Sequence, residues 1–230
     1  MDLSDAYLTR FPPEVLARYR FAETRNAAAI LAATNPVAFT DLVAVLNGFS
    51  LQPDDLTTPG GQESDLAARL NHAFRVRGWR EARVDTNTRL VLVKMPYRPA
   101  GETDQDRVET ETNNEGYKVD NVRDRVALDV EWNAKDGNLD RDIGAYRSLY
   151  DSALIDVGVM ITRTQADLRQ LGYALGIAAG MDHDRARRIL GTSTTTNSDK
   201  LTPRMTRGDA GGCPLLAVFI CADTLEVAAK

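Results

Sequence analysis

The sequence has few of the residues that staple small folds or that carry metal-free nucleophilic chemistry. Two cysteines, Cys213 and Cys221, and two histidines, His72 and His183, are all that its 230 residues contain. So few ligands do not compose a zinc site, and two thiols without a secretory leader suit buried free cysteines better than a disulfide. Neither histidine falls beside a serine or cysteine in a nucleophile pattern, which argues against a Ser-His or Cys-His hydrolase and assigns both to helix surface or packing. Long apolar runs are missing too. The longest, such as Pro214 to Cys221, fall far short of the roughly 20 residues that span a bilayer, and the opening MDLSDAYLTR is acidic where a signal peptide is basic and then apolar. A cytoplasmic protein is expected.

An excess of positive charge is also lacking. The net charge of −5 speaks against a nucleic-acid partner until the charge is located. Residues 69 to 98 carry eight bases against two acids, residues 163 to 207 carry eight against four, and residues 102 to 131 carry ten acids against four bases. Basic arms around an acidic centre suit phosphate contacts flanking a cation site, although such runs are also what plain solvated faces look like. At 43% hydrophobic and 27% charged, the chain is expected to form one globular domain that buries about three quarters of its unfolded surface.

What the chain does have stands out in Tyr117 to Asp136, YKVDNVRDRVALDVEWNAKD. Val126, Leu128 and Val130 alternate as a half-buried strand requires, and this throws Asp129 and Glu131 together onto the opposite face. Asp120 lies nine positions before Asp129, near the start of the hairpin, where a turn brings it alongside. Three acids without evident cationic partners repel one another unless a hard divalent cation neutralises them. Mg²⁺ takes one or two carboxylates together with waters and phosphate oxygens, which points to phosphoryl transfer. By spacing alone, solvated carboxylates on an outer strand face would read the same way.

The pattern Asp-x(8)-Asp-x-Glu resembles that of the PD-(D/E)xK nucleases, and KVDNVRDRVALDVEWN with IDVGVMITR downstream is similar to the BglII/BstYI family of type II restriction endonucleases. A second island, Leu70-Asn71-His72-Ala73-Phe74 followed by Arg77-Gly78-Trp79-Arg80-Glu81, resembles the LN-x-AF and GW-x-E stretches of that family. Together the islands cover most of residues 62 to 163. The resemblance implies an α/β fold of the restriction-endonuclease type, a three-layer α/β/α core with a mixed central sheet, here with an N-terminal helical extension. It also implies Asp120, Asp129 and Glu131 as catalytic residues and Mg²⁺ held by Asp120 and Asp129. A helix-borne acid near Glu63 helps with metal or water in many of these nucleases, although Glu63 also simply suits a helix N-terminus. One departure stands at position 131, where the superfamily's usual lysine is a glutamate; relatives accept Gln or Glu there. Lys135 is a candidate for the charge that position 131 lacks.

Along the chain, the first fifty residues read as helical, with helices opened by Pro12-Pro13 and from about Val37 to Leu46. Residues 52 to 61 read as a loop, Ser64 to Arg77 as a helix stopped by Gly78, Arg89 to Met95 as a strand, and 96 to 114 as a mobile polar loop. A helix from Leu139 to Asp151 followed by a buried strand from Ile155 to Thr162 makes a βαβ unit, and a helix from Gln165 to Ala179 leads on to a last strand, Pro214 to Cys221. The chain thus divides into a helical region (1–50), a catalytic core (62–163) and a C-terminal part (164–230). The polar loop Ser193, Thr194, Thr195, Thr196, Asn197, Ser198, Asp199, Lys200, with Arg204 and Arg207 after it, is the best candidate for reading DNA. Asn pairs bidentately with adenine, Arg with guanine, and Lys with phosphate. Asn133 and Lys135, just past the catalytic strand, fall by the scissile phosphate or its neighbouring bases.

The expected protein is a Mg²⁺-dependent homodimer that cuts double-stranded DNA at a short palindrome, alongside a methyltransferase that protects the same site. A modification-dependent or repair nuclease, and a DNA-binding module with a degenerate metal site, are the alternatives.

Overall fold

The computed structural model describes residues 1–58 and 64–225, and Glu63 lies outside them. The chain falls into two compact units, one formed by residues 1–81 and 119–230 and the other by residues 82–118.

The first unit begins with two short helices, α1 (Tyr7–Arg10) and α2 (Pro13–Arg18), and a strand, β1 (Tyr19–Glu23). Helices α3 (Ala27–Thr34), α4 (Pro36–Gly48), α5 (Pro53–Thr57) and α6 (Asp65–Arg75) follow. Strands β2 (Arg80–Lys94) and β3 (Asp106–Arg123) run into and out of the second unit, and β4 (Val126–Val130) returns at once. Then come α7 (Gly137–Asp151), β5 (Val157–Arg163), α8 (Ala166–Ala178), α9 (His183–Arg188), α10 (Ser198–Arg207) and β6 (Leu215–Ile220). The mixed sheet has the order β1-β6-β5-β4-β3-β2. Strands β4, β5 and β6 are parallel, while β3 meets β4 and β1 meets β6 antiparallel.

Local chemistry accounts for the ends of these elements. Ser64 Oγ accepts the Ala67 amide at 3.2 Å to start α6, and Gly78 provides the left-handed turn after it at φ +95°. Pro36 supplies the preset first turn of α4.

Four expectations are corrected. The first fifty residues are not all helical, because Tyr19–Glu23 pairs with β6 as an edge strand. The stretch from Asp106 to Asn114 is strand rather than loop, since it faces β2 across an antiparallel ribbon. Residues 198 to 207 are the helix α10, capped by Asn197 and anchored by buried Leu201 and Met205 at helical spacing. The short helix α5 also occupies part of the stretch read as a loop.

The sheet separates two layers. Val126, Leu128 and Val130 of β4, with Val157, Val159 and Ile161 of β5, join Leu31, Leu42, Leu46, Leu66 and Phe74 in one core, so the N-terminal helices pack on the sheet. The opposite face of β4 and β5 lies under α7, where Gly158 is required: a Cβ there would stand 2.6 Å from the Tyr146 ring. Every residue of β4 is buried, so this strand is covered on both faces rather than half-buried as alternation suggested. Cys213 and Cys221 are buried free thiols. Among the described residues no single helix is long and apolar enough to cross a membrane.

The second unit is a ribbon of β2 and β3 with a short 3-10 turn, Arg98–Ala100, between them. Arg83 meets Glu115 and Lys94 meets Asp106 across it, at 3.1 and 2.7 Å, which fixes its antiparallel sense.

Candidate active site

The register of β3 on β4 pairs Asn121 with Leu128, and its continuation sets Asp120 opposite Asp129. The turn between the strands is tight, with Asp124 in the left-handed region at φ 49°. The Asp120 amide donates to Asp129 Oδ1 at 2.8 Å, and the Val130 amide approaches Asp120 Oδ2 at 3.4 Å. Glu131 follows directly, its amide on Ile161 O at 2.8 Å and its carbonyl accepting from the Thr162 and Thr196 hydroxyls at 2.8 and 2.9 Å. Asp129 and Glu131 are only 4% and 6% exposed, which changes their chemistry. A solvated strand face would leave these acids at ordinary values. Here burial, reinforced by the Asp142 charge, pushes Asp129 up to about 7 and Glu131 up to about 8.

Helix α7 brings a fourth acid and three further partners that the motif did not announce. Asp142 is 1% exposed and its Oδ2 has no donor. Glu131 lies against Asp142, and two ionised carboxylates are both acceptors, so only a shared proton or a cation satisfies that oxygen. The Tyr146 hydroxyl stands 2.7 Å from Asp129 Oδ2 and 2.8 Å from Val159 O. One hydroxyl hydrogen serves two acceptors there, consistent with an Asp129 that holds a proton. Asn138 Nδ2 approaches Glu131 Oε2 at 3.4 Å, and Arg141 pairs with Asp142 Oδ1 at 2.8 Å and Glu131 Oε1 at 3.6 Å. The signal was present in the sequence: Asp142 falls on the same helical face as Leu139, Ile143 and Tyr146, a stripe read only as apolar.

The reading stretch is arranged differently from a free loop. Thr196 N–H donates to Ala134 O and Asp136 N–H to Thr194 O, each at 2.9 Å, so residues 194–196 are laced to the segment after the catalytic strand. Ser193, Thr194, Asn133 and Lys135 are exposed, whereas Thr196 and Asn197 are buried. Asn197 Oδ1 caps α10 by accepting the Asp199 and Lys200 amides. Arg204 ties α10 to α7 through Asp140 at 2.7 Å, Lys200 lies 4.0 Å from Asp136, and Arg207 pairs with Asp209 at 2.6 Å. Arg163 is fully buried, and burial lowers its guanidinium to about 10. It donates to Asn133 Oδ1 at 3.0 Å and Thr195 Oγ1 at 3.1 Å, holding the end of the catalytic strand against the polar stretch. A cleft of about 810 Å³ opens beside Asn133 and Thr195, lined also by Arg69, Arg185 and Arg188; none of the four carboxylates lines it.

The family model described as restriction endonuclease BglII/BglIII matches residues 19–220, which takes in the whole sheet and all four carboxylates. The chain belongs to this family. The endonuclease is therefore a site-specific deoxyribonuclease, a hydrolase. No curated protein matches the chain.

Enzymes of this kind generally depend on a divalent metal. Among the described residues no three His, Cys, Asp or Glu side chains are grouped so as to hold an ion, and both Asp129 oxygens are engaged by protein donors. The chemistry of the side chains present suits a hard cation all the same: they are carboxylates, three of them nearly excluded from water, and one buried carboxylate oxygen lacks any donor.

Proposed function

We propose that the endonuclease hydrolyses phosphodiester bonds of double-stranded DNA at a short palindromic site, with Mg²⁺ held by Asp120, Asp129 and Glu131. The observation that carries this reading is the buried carboxylate cluster itself. Burial, reinforced by the Asp142 charge, raises two of these acids to about 7 and 8, and a cation would relieve both the desolvation and the repulsion. Glu63, named by the family resemblance, would be a further metal-binding acid. Bound Mg²⁺ supplies charge stabilisation to the phosphate during displacement.

The protein's own groups do the positioning. The Asp120 amide and the Tyr146 hydroxyl fix Asp129 from two directions, and Tyr146 is itself tied to Val159 O, so the carboxylate is oriented before substrate arrives. Glu131, its backbone carbonyl held by the Thr162 and Thr196 hydroxyls, would complete the metal shell or orient the attacking water. Exposed Asn133, Lys135, Ser193 and Thr194 face the duplex; Thr195, Thr196, Asn197, Lys200, Arg204 and Arg207 complete the reading surface or hold it in shape. Arg185 and Arg188 along the neighbouring cleft add phosphate contacts.

One such site cuts one strand, so the enzyme works as a homodimer whose two-fold axis matches that of the palindrome. It acts in the cytoplasm beside a methyltransferase that marks the same sequence. Plasmid incubated with enzyme and Mg²⁺ gives discrete linear fragments, and light scattering of enzyme with a cognate duplex gives twice the monomer mass. Nicked circles only, from a monomeric complex, sink the dimer and point to a repair-type nickase.

A further inference from the structure

We propose that Arg141 is the resident cation of this active site, neutralising Glu131 and Asp142 in the metal-free protein and turning to the scissile phosphate when DNA binds. The inference rests on the nuclease reading above and names a contact that reading leaves unfilled. Position 131 is a glutamate beside Asp129, so the motif itself provides only negative charge. Lys135 does not make up the deficit as placed: it is exposed, its backbone is bridged to Thr195, and it makes no ion pair with the cluster. Arg141 does. Its Nε lies 2.8 Å from Asp142 Oδ1 and its Nη2 lies 3.6 Å from Glu131 Oε1, and among the described residues no other cation pairs with Glu131 or Asp142.

Exposure separates the partners. The Arg141 side chain is 58% exposed while the carboxylates it touches are 8% and 2% exposed, so the guanidinium spans the boundary between water and the buried acids. Its Nη1 has no protein acceptor among the described residues. A planar fork with one arm on the acids and one arm free suits a shared contact with a phosphate, which a lysine ammonium reproduces only as a point charge. Its place on α7 makes the arrangement possible. Asn138, Asp142 and Tyr146, four residues apart, turn to the cluster, and Arg141 sits at the rim of that face.

The test uses the full chain as wild type, Arg141→Ala, Arg141→Gln and Arg141→Lys. Two readouts are needed. Calorimetric titration with Mg²⁺ in the absence of DNA should show tighter binding, by several-fold or more, in Arg141→Ala and Arg141→Gln than in wild type, because the competing cation is gone. Plasmid cleavage at saturating Mg²⁺ should fall at least ten-fold in kcat for both neutral variants, recover partly in Arg141→Lys, and recover in Arg141→Ala when guanidinium ion is added at millimolar concentration. Arg141→Gln keeps a donor for Asp142 and guards against a variant that simply fails to fold. Unchanged or weaker Mg²⁺ binding in the neutral variants, or cleavage at the wild-type rate, overturns the proposal. If wild type cuts no DNA at all, the nuclease reading fails, and the Mg²⁺ titrations still decide whether Arg141 competes with the cation.

Discussion

The same residue types meet opposite fates in the ribbon of residues 82–118 and in the carboxylate cluster. The ribbon carries six bases and seven acids, and they pair across its strands: Arg83 with Glu115, Arg89 with Glu109, Lys94 with Asp106. Those partners stay well exposed, so water and salt screen them and each pair contributes roughly 0–1 kcal/mol. In the cluster, among the described residues, Glu131 and Asp142 share one arginine, and three of its four acids are below a tenth exposed. Charge that is balanced and wet shapes a surface; charge that is unbalanced and dry stores repulsion that a ligand can relieve. The difference singles out the cluster as the candidate site without any appeal to sequence similarity.

The largest effect should come from removing the acids that define the contrast. Asp129→Asn and Asp120→Asn are expected to lower kcat by on the order of 10²–10⁴-fold, since each removes a ligand worth several kcal/mol of transition-state stabilisation. Asp129→Asn should nevertheless leave a stable fold. The amide oxygen still accepts from the Asp120 amide, its NH₂ donates to the Tyr146 oxygen, and the Tyr146 hydrogen is released to Val159 O. Cleavage assays beside thermal melts separate the two outcomes, and wild-type rates in either variant would remove these residues from the site. Glu131→Gln should be milder than either.

The next effect concerns pH. Asp129 and Glu131 ionise near 7 and 8 in the folded chain, against about 4 when unfolded, so the folded state holds their protons more tightly. This relative stabilisation is whole below pH 4 and is lost as pH rises through the folded values. In metal-free buffer the melting temperature should therefore be several degrees lower at pH 8.5 than at pH 6, at about 2–4 °C for each kcal/mol. Added Mg²⁺ should raise it at pH 8.5, and Asp129→Asn should flatten the profile. Equal melting temperatures at the two pH values in wild type would show that the cluster is not strained.

Much of this was legible in the sequence. The alternation through Val126, Leu128 and Val130 and the nine-residue spacing of Asp120 and Asp129 gave the hairpin, and the apolar run of 155–162 gave the parallel strand beside it. Burial of β4 on both faces was not legible, because alternation reports which residues share a face and not what covers that face. Asp142 was hidden for a related reason: a helical stripe shows its apolar members, and one acid among them reads as noise until the sheet beneath supplies Asp129 and Glu131. The strand in 106–114 escaped because its residues are polar on both faces, DRVETETNN, and only cross-strand ion pairs mark it. Helix α10 escaped because its cap is a side-chain bond from Asn197, in a stretch that composition alone describes as loop.

That cap yields a smaller effect. Asn197→Ala should cost about 1 kcal/mol of stability and weaken cleavage at all sites alike, because it removes the acceptor for two helix amides. Ser193→Ala and Thr194→Ala, at exposed positions, should leave the melting temperature unchanged and alter the ranking of cut sites. Fragment-end sequencing after partial digests measures both. A changed site preference in Asn197→Ala with unaltered stability would return this residue to the reading surface.

The smallest effect belongs to the ribbon and tests the other side of the comparison. Glu109 receives both Arg89 and Arg107, yet all three side chains are more than a third exposed. Glu109→Gln should change stability by no more than about 1 kcal/mol, and 0.5 M salt should erase most of that, because exposed pairs at this ionic strength are screened within a few ångströms. The substitution leaves two arginines side by side, so at low salt the sign is destabilising. The same salt step should leave the strain at Asp129, Glu131 and Asp142 nearly intact, since mobile ions do not enter a cluster that water barely reaches. A double-mutant cycle of Glu109→Gln with Arg89→Gln, run at both salt concentrations beside Asp129→Asn, measures the two regions on one scale. A ribbon coupling above about 1 kcal/mol that survives 0.5 M salt would show that its charges are not simply solvated, and the contrast drawn between the two regions would fail.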